Sequence, residues 1–343
     1  MDSRSKLTLN SEQPQIQRSA GRSFIERRYS TSPSTSVNDT IVNFPITLQE
    51  GETYQVIAYG VVGDMNTPFD LKIINPARES AEGGSGVDFT VFHGSPDAPA
   101  VDVFARDVAQ IVDGAPYGAN TPYQNVPAAD YILDVKADNT EPIVASFSAP
   151  LSGLDGGAGL VMASGFLNPG MGDPAFGLFA VLPDGTVLEL PQVQNTAQLQ
   201  VVHNSPSPTV DIWVNGQPYE TDFAFRTATE YREVPAGVVL NVGIAPSPST
   251  SVDDTIVNYE LILDPDEVYQ VIAYGVVGDM NTPFDLQIIT PARAAAEGGS
   301  GVDFTVFHGS PDAPAVDVFA RDVAQIVDGA PYGANTPYQN VPA

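Results

Sequence analysis

The chain holds three histidines, and each opens the same spacing: His93 with Ser95 and Pro96, His203 with Ser205 and Pro206, His308 with Ser310 and Pro311. In two of the three an aspartate follows, Asp97 and Asp312. Histidine, serine and carboxylate are the parts of a hydrolytic triad. The spacing argues against that use. Ser95 and Asp97 lie too close to His93 along an extended chain to face it, and no Gly-x-Ser-x-Gly elbow is present. A hydrolase built on His93 and Asp97 is therefore a remote reading, and no catalytic residue is assigned. A metal site would need further nitrogen or sulfur ligands, and the chain has no cysteine. The preferred reading is structural: a histidine at a strand end that caps a turn through backbone hydrogen bonds.

Asp102, Asp211 and Asp317 extend the same motif. Asp102 and Asp211 sit between apolar neighbours in strand-like runs, which points them outward. Calcium takes clustered loop oxygens, and Asp64 with Asn66, Asp173, and Asp279 with Asn281 are of the right type. None has an EF-hand or glycine-rich repeat spacing, so no cofactor is expected and calcium stays a weak alternative. Tyr117, Tyr123, Tyr332 and Tyr338 lie in a Pro- and Gly-rich loop, where a binding function would live. They are the candidate contacts to surface glycans or proteins; equally, the rings could cover a sheet edge. Trp213, the single tryptophan, has Phe104 as its counterpart and reads as a core anchor.

The elements that position these residues recur. Ala81–Ala128 returns unchanged as Ala296–Ala343, and Tyr54–Leu71 as Tyr269–Leu286, both at an offset of 215 residues. Within that period Val91–Pro96 answers to Val201–Pro206, Val101–Phe104 to Val210–Trp213, and Val126–Ala128 to Val234–Ala236. The period therefore splits into two sister modules, A and B, each of common domain size. The expected order is the C-terminal half of B (32–85), a complete A (86–195), a complete B (196–300) and the N-terminal half of A (301–343). Each half would leave an apolar face and a sheet edge uncovered. Truncation is the preferred reading, with pairing of the halves as the alternative.

Period-two alternation broken by 30 Pro and 30 Gly predicts short strands and no long helix. In A these are Asp88–His93, Val101–Phe104, Tyr131–Lys136, Ile143–Ser148, Gly159–Gly165, Gly177–Leu182 and Val187–Leu190. In B they are Leu199–His203, Val210–Val214, Val238–Gly243, Thr255–Leu261, Tyr269–Val276 and Asp285–Ile289. Asn215-Gly216 and Pro183-Asp184-Gly185 read as tight turns, and single helical turns are expected near Ala292–Ala296. The fold class is all-β: tandem antiparallel sandwiches of immunoglobulin-like size.

Residues 1–31 differ from the rest. They carry 6 Lys and Arg against 3 Asp and Glu, whereas residues 32–343 carry 8 against 39. A one-base slip through the codons of Tyr231–Pro246 would permit Ile16–Ser23 and, after Phe24, Ile25–Thr31. The segment is read as a frame-shifted module B with no signal-peptide pattern. The net charge of −28 opposes nucleic acid and anionic membranes, which require clustered Lys and Arg. Acid-rich, lysine-poor folded domains suit high salt, where screening over about 3 Å at 1 M relieves self-repulsion. No apolar run is long enough to span a membrane.

The stretch Val91–Phe104, the later Asn125–Tyr131 and the strand Val161–Gly165 resemble the DUF4397 family, exported bacterial and archaeal domains of unassigned function that often occur in tandem. The resemblance covers the chain from about residue 32 onward. Module B departs from it at Ser207-Pro208-Thr209, one residue shorter, so a role for the Asp97 position fails there. The family implies a secreted or cell-surface setting and brings no catalytic residues. The expected function is a non-enzymatic surface array with a stalk or adhesion role, its partners being surface glycans, proteins or neighbouring modules.

Overall fold

The computed structural model describes residues 17–19, 22–30, 36, 40–321 and 324–341. They form two compact units, Met1–Leu133 with Phe147–Gln192, and Asp134–Ser146 with Val193–Ala343. The fold is all-β. No α-helix occurs among the described residues. The turns expected at Ala292–Ala296 are bends. A helical turn forms instead at Val252–Asp254, where Ser251 and Asp254 form a reciprocal capping box.

Both units are organised around one parallel strand pair in otherwise antiparallel sheets. In the first unit the opening strand Val87–His93 lies beside the return strand Ala158–Ser164, with Val91 opposite Val161. In the second unit Thr196–His203 lies beside Val268–Tyr274, with Val201 opposite Val271, so the offset is 70 residues in both. Parallel neighbours need a long crossover, and here the crossover builds the other sheet. For the first pair that sheet runs in the order Ala109–Ala115, Val101–Ala105, Asp130–Ala137, Ile143–Pro150, Gln192–Val193. For the second it runs Gln217–Phe223, Val210–Val214, Val239–Pro246, Val257–Ile262.

In the second unit the two sheets share one core. Leu199, Val201 and Val271 meet Ile212, Leu240 and Ile244 across it. Paired positions trade volume between the units: Phe89 stands opposite Gly159 where Leu199 stands opposite Tyr269.

The two opening strands differ in one respect that governs the site. Thr196–His203 alternates between buried and half-buried residues, as a strand with one covered face must. All seven residues of Val87–His93 are buried. The preceding hairpin, Gln55–Tyr59 with Asp70–Ile74, roofs its outer face. Ile57 and Ile74 cluster with Phe92 and Leu160, and Tyr59, Tyr123 and Met162 close the margin.

Identical sequence behaves differently at the end of the chain. Residues 302–304 keep only a three-residue strand, paired to Gln339–Val341. Val302 is 50% exposed where Val87 is 4%. Residues 1–16 and the links around residues 20–21, 31–35 and 37–39 lie outside the described residues, and the frame-shift reading of residues 1–31 falls largely on them. Within the described part, Arg22–Ser30 pairs with Thr40–Gln49, Ile25 opposite Ile46. That register is the one joining Leu240 to Leu261, displaced by the 215-residue period.

Ala109–Ala115 and Gln217–Phe223 are strands that alternation does not predict. Register shifts interrupt both pairings, and each bulge breaks the period of two. The expected turns do form, with Asn215, Gly216 and Gly185 all at positive φ.

Gly165 follows the return strand at φ 84°, and a Cβ there would collide with the Ala175 carbonyl. Gly185 has φ 88° with open space around it. Gly185→Ala should cost about 1–2 kcal/mol, the left-handed backbone penalty. Gly165→Ala should cost on the order of 3–4 kcal/mol, because the collision adds to it. Denaturant unfolding of the two variants checks this; equal costs would remove the close approach.

Candidate functional site

The opening and return strands are parallel, so their C-terminal ends lie side by side, and the histidine motif sits there. His93 is 2% exposed and His203 1%. In each copy both ring nitrogens are used. Nε2 bonds to the carbonyl of Pro99 (2.8 Å), Pro208 (3.0 Å) or Pro314 (3.0 Å). Nδ1 faces the backbone N–H of Ser95, Ser205 or Ser310 at 3.4 Å. A carbonyl can only accept, so Nε2 carries the proton and Nδ1 accepts. Burial lowers the pKa of His93 and His203, and the bond to the proline carbonyl offsets only part of that. The rings are neutral caps on the turn.

The serines complete the clamp. Ser95 Oγ donates to the Gly165 carbonyl at 2.8 Å and Ser205 Oγ to the Gly275 carbonyl at 2.7 Å. Each thereby ties the loop after the opening strand to the loop after the return strand. Backbone amides reinforce this, Gly94 N–H to Ala163 (2.9 Å) and Asn204 N–H to Ala273 (2.7 Å). Ser310, which has no such partner strand, turns to Asp312 at 3.2 Å. Asp97 adds a second tie in the first unit, accepting the N–H groups of Leu167 and Asn168, each at 2.7 Å. Burial would raise its carboxyl, but those two amides hold it below the ordinary value.

Asp102 and Asp211 correct the outward-facing expectation. Alternation does place them opposite the core-facing Val103 and Ile212, yet both are buried, at 6% and 3% exposure. Neighbouring backbone folds over them. Asp102 accepts Gly114 N–H at 2.8 Å. Asp211 accepts Asp222 N–H at 2.9 Å, and Ser249 N–H and hydroxyl at 2.6 and 2.7 Å. Asp317 keeps the first of these patterns, accepting Gly329 N–H at 2.6 Å. Trp213 is likewise outside the core cluster: it is half-buried, and its indole N–H donates to Ser249 Oγ at 3.0 Å. Asp64 and Asp279 are turn residues, each accepting two backbone N–H groups two and three positions on.

The tyrosine loops are not free. Tyr117 packs edge-on against Tyr59 and His93, at 5.7 and 6.2 Å between centroids. Tyr332 repeats this with Tyr274 and His308. Tyr123 accepts the Arg78 backbone N–H at 3.1 Å beneath the Arg78 guanidinium, which lies 4.9 Å from its ring centre. Tyr338 does the same for Arg293. These rings belong to the roof over the opening strand.

An ion pair seals that roof. Asp88, 1% exposed, accepts Arg78 Nη1 at 2.6 Å, Glu82 N–H at 2.9 Å and the Asn125 amide at 2.7 Å. Burial alone would raise the Asp88 carboxyl; the three donors and the Arg78 charge outweigh it and hold it low. Arg78 also pairs with Glu82. In the second unit Arg293, Asp303, Glu297 and Asn340 repeat every one of these contacts.

The family model described as a domain of unknown function, DUF4397, matches residues 87–153 and 197–305, just over half the chain. The chain belongs to the DUF4397 family. Both DUF4397 matches begin at the opening strand and take in the histidine and serine of the motif. No curated protein matches the chain. A solved structure from Bacteroides fragilis, provisionally described as a cell adhesion protein, aligns at 10% identity over 70% of this chain and 94% of its own. Its TM-score is 0.16, and a superposition that loose carries no argument. What the DUF4397 motif does in this chain is definite: it locks two loops at one end of a parallel strand pair.

His93→Phe keeps a planar ring but leaves the Ser95 N–H and the Pro99 carbonyl unpaired, at a cost of about 2–4 kcal/mol in unfolding free energy. The folded ring binds its proton less readily than the unfolded one. Its contribution is therefore present above the unfolded value of about 6.5 and is lost as the pH falls through the lower folded value. Melting curves between pH 7 and 4 should show this loss in the native chain and less of it in His93→Phe.

Proposed function

We propose that the chain is part of a non-catalytic, surface-displayed array of DUF4397 modules that acts as a stiff spacer in adhesion. In this reading residues 86–195 and 196–300 are complete A and B modules. Residues 32–85 and 301–343 are halves of B and A, and residues 1–31 are a frame-shifted module.

The observation that carries the proposal is the roof. The hairpin of one module covers the outer face of the next module's opening strand, and the whole contact set around Arg78 and Asp88 recurs around Arg293 and Asp303. A joint reproduced to that level of detail stiffens a chain. The unchanged blocks Tyr54–Leu71 and Ala81–Ala128 supply Ile57, Tyr59, Asp88 and Phe92 to this joint, and Ile74 and Arg78, from the segment between them, recur as Ile289 and Arg293. Each motif histidine has both nitrogens engaged, and Ser95 and Ser205 donate to backbone carbonyls, which leaves no base poised against a nucleophile. The expected partners are neighbouring modules. An extracellular setting fits the family and the acidic, lysine-poor composition. No helix among the described residues is long and apolar enough to cross a membrane.

Removing the arginine strands a buried carboxylate. Arg78→Ala should cost about 2–4 kcal/mol, somewhat below a fully enclosed pair because the arginine is partly solvated. Single-molecule pulling on the full chain tests the spacer role. The native joint should open together with the module it roofs, and Arg78→Ala should add a separate early event at low force. A native chain whose hairpin detaches first at low force would contradict the proposal.

A further inference from the structure

Three loops share one construction. Each begins at a glycine of positive φ, Gly60 (85°), Gly165 (84°) and Gly275 (81°). In each, a Cβ on that glycine would strike the carbonyl of the residue that closes the loop, Pro68, Ala175 or Pro283. A backbone bridge pins the neck: Val61 to Pro68, Phe166 to Ala175, Val276 to Pro283. In the second and third loops the serine clamp grips the neck carbonyl as well. At the far end of every loop stands a methionine. Met65 is 94% exposed, Met171 97% and Met280 94%.

This placement runs against the residue's habit. Methionine is a gap-filler of cores, and Met162 is the chain's example, half-buried against the roof. The loop in the middle of the chain differs in length and sequence from the other two yet still ends in methionine. With no cysteine in the chain, thioethers are its only sulfur.

We propose that the three loop tips are oxygen-acceptor sites, whose thioethers consume neutral peroxide-type oxidants and leave the fold intact. A sulfur lone pair attacks one peroxide oxygen as the O–O bond breaks and an S–O bond forms. The displaced hydroxide takes the proton shed by the transferred oxygen and departs as water. Sulfur loses two electrons and the peroxide gains them, giving methionine sulfoxide. Side chains this exposed already stand almost wholly in water, so a polar oxygen on the sulfur needs no desolvation. The net charge of −28 and the absence of Lys and Arg from all three loops repel anionic oxidants at low salt. Consumption of oxidant at a cell surface rests on the surface-array reading. The chemistry does not, so its failure would leave that reading standing.

The test is a time course of the full chain with hydrogen peroxide, read by peptide mass spectrometry. Met65, Met171 and Met280 should each gain one oxygen about tenfold or more faster than Met162, with the melting temperature unchanged. Peroxymonosulfate, an anion, should react more slowly at low salt and recover as salt is added. The triple variant Met65→Leu, Met171→Leu, Met280→Leu should fold normally and lose the fast phase. Oxidation of Met162 at the same rate, a fall in melting temperature once the three sulfoxides form, or an unchanged fast phase in the triple variant would each overturn the proposal.

Discussion

Everything distinctive in this chain depends on the parallel pairing of residue i with residue i+70. It places the carboxyl ends of two strands side by side, where their following loops would otherwise diverge. Buried backbone groups at such a point need partners. The histidine supplies two, capping its own turn, and the serine hydroxyl supplies the cross-link to the returning loop. The third motif copy separates the two functions. His308 keeps both ring bonds, which are local, while Ser310, lacking a return strand, finds a different acceptor. Histidine acts within its turn; serine acts between strands.

The second constraint is the covering of the opening strand from outside. A sheet face bearing Asp88, Thr90 and Phe92 is suited to water only in part. The hairpin over it converts Asp88 from a surface acid into a buried one, and Arg78, ten residues earlier, makes that tolerable. Such a pair adds little net stability when compared with apolar residues of the same shape. Its weight lies in what happens when one partner is lost. It therefore fixes how the hairpin seats rather than how strongly.

Much of the fold was legible in the amino-acid order. Val210–Val214 and Asp285–Ile289 coincide with the alternating runs that announce them, and the Asn215-Gly216 turn needs only its residue types. Ala109–Ala115 was not legible, because a bulge interrupts its alternation and its residues are as much polar as apolar. The burial of Asp102, Asp211 and Asp88 was hidden for a related reason. Alternation tells which face a residue occupies, and a loop or a preceding hairpin then decides whether that face is wet. The exposed methionines were masked by their own apolarity. A signal did exist for the clamp: histidine and serine recur together in a copy that has lost the aspartate, which separates their role from that of Asp97.

The most direct measurement is hydrogen exchange at the ends of the parallel pair, resolved by residue. If the motif is a clamp, the amides of Gly94, Ser95, Leu167 and Asn168 exchange within about tenfold of those in the return strand Ala158–Ser164, because loop and strand open together. If those four amides exchange as freely as an open loop while the strand stays protected, the histidine and serine do not hold the two ends together, and the motif is not a clamp.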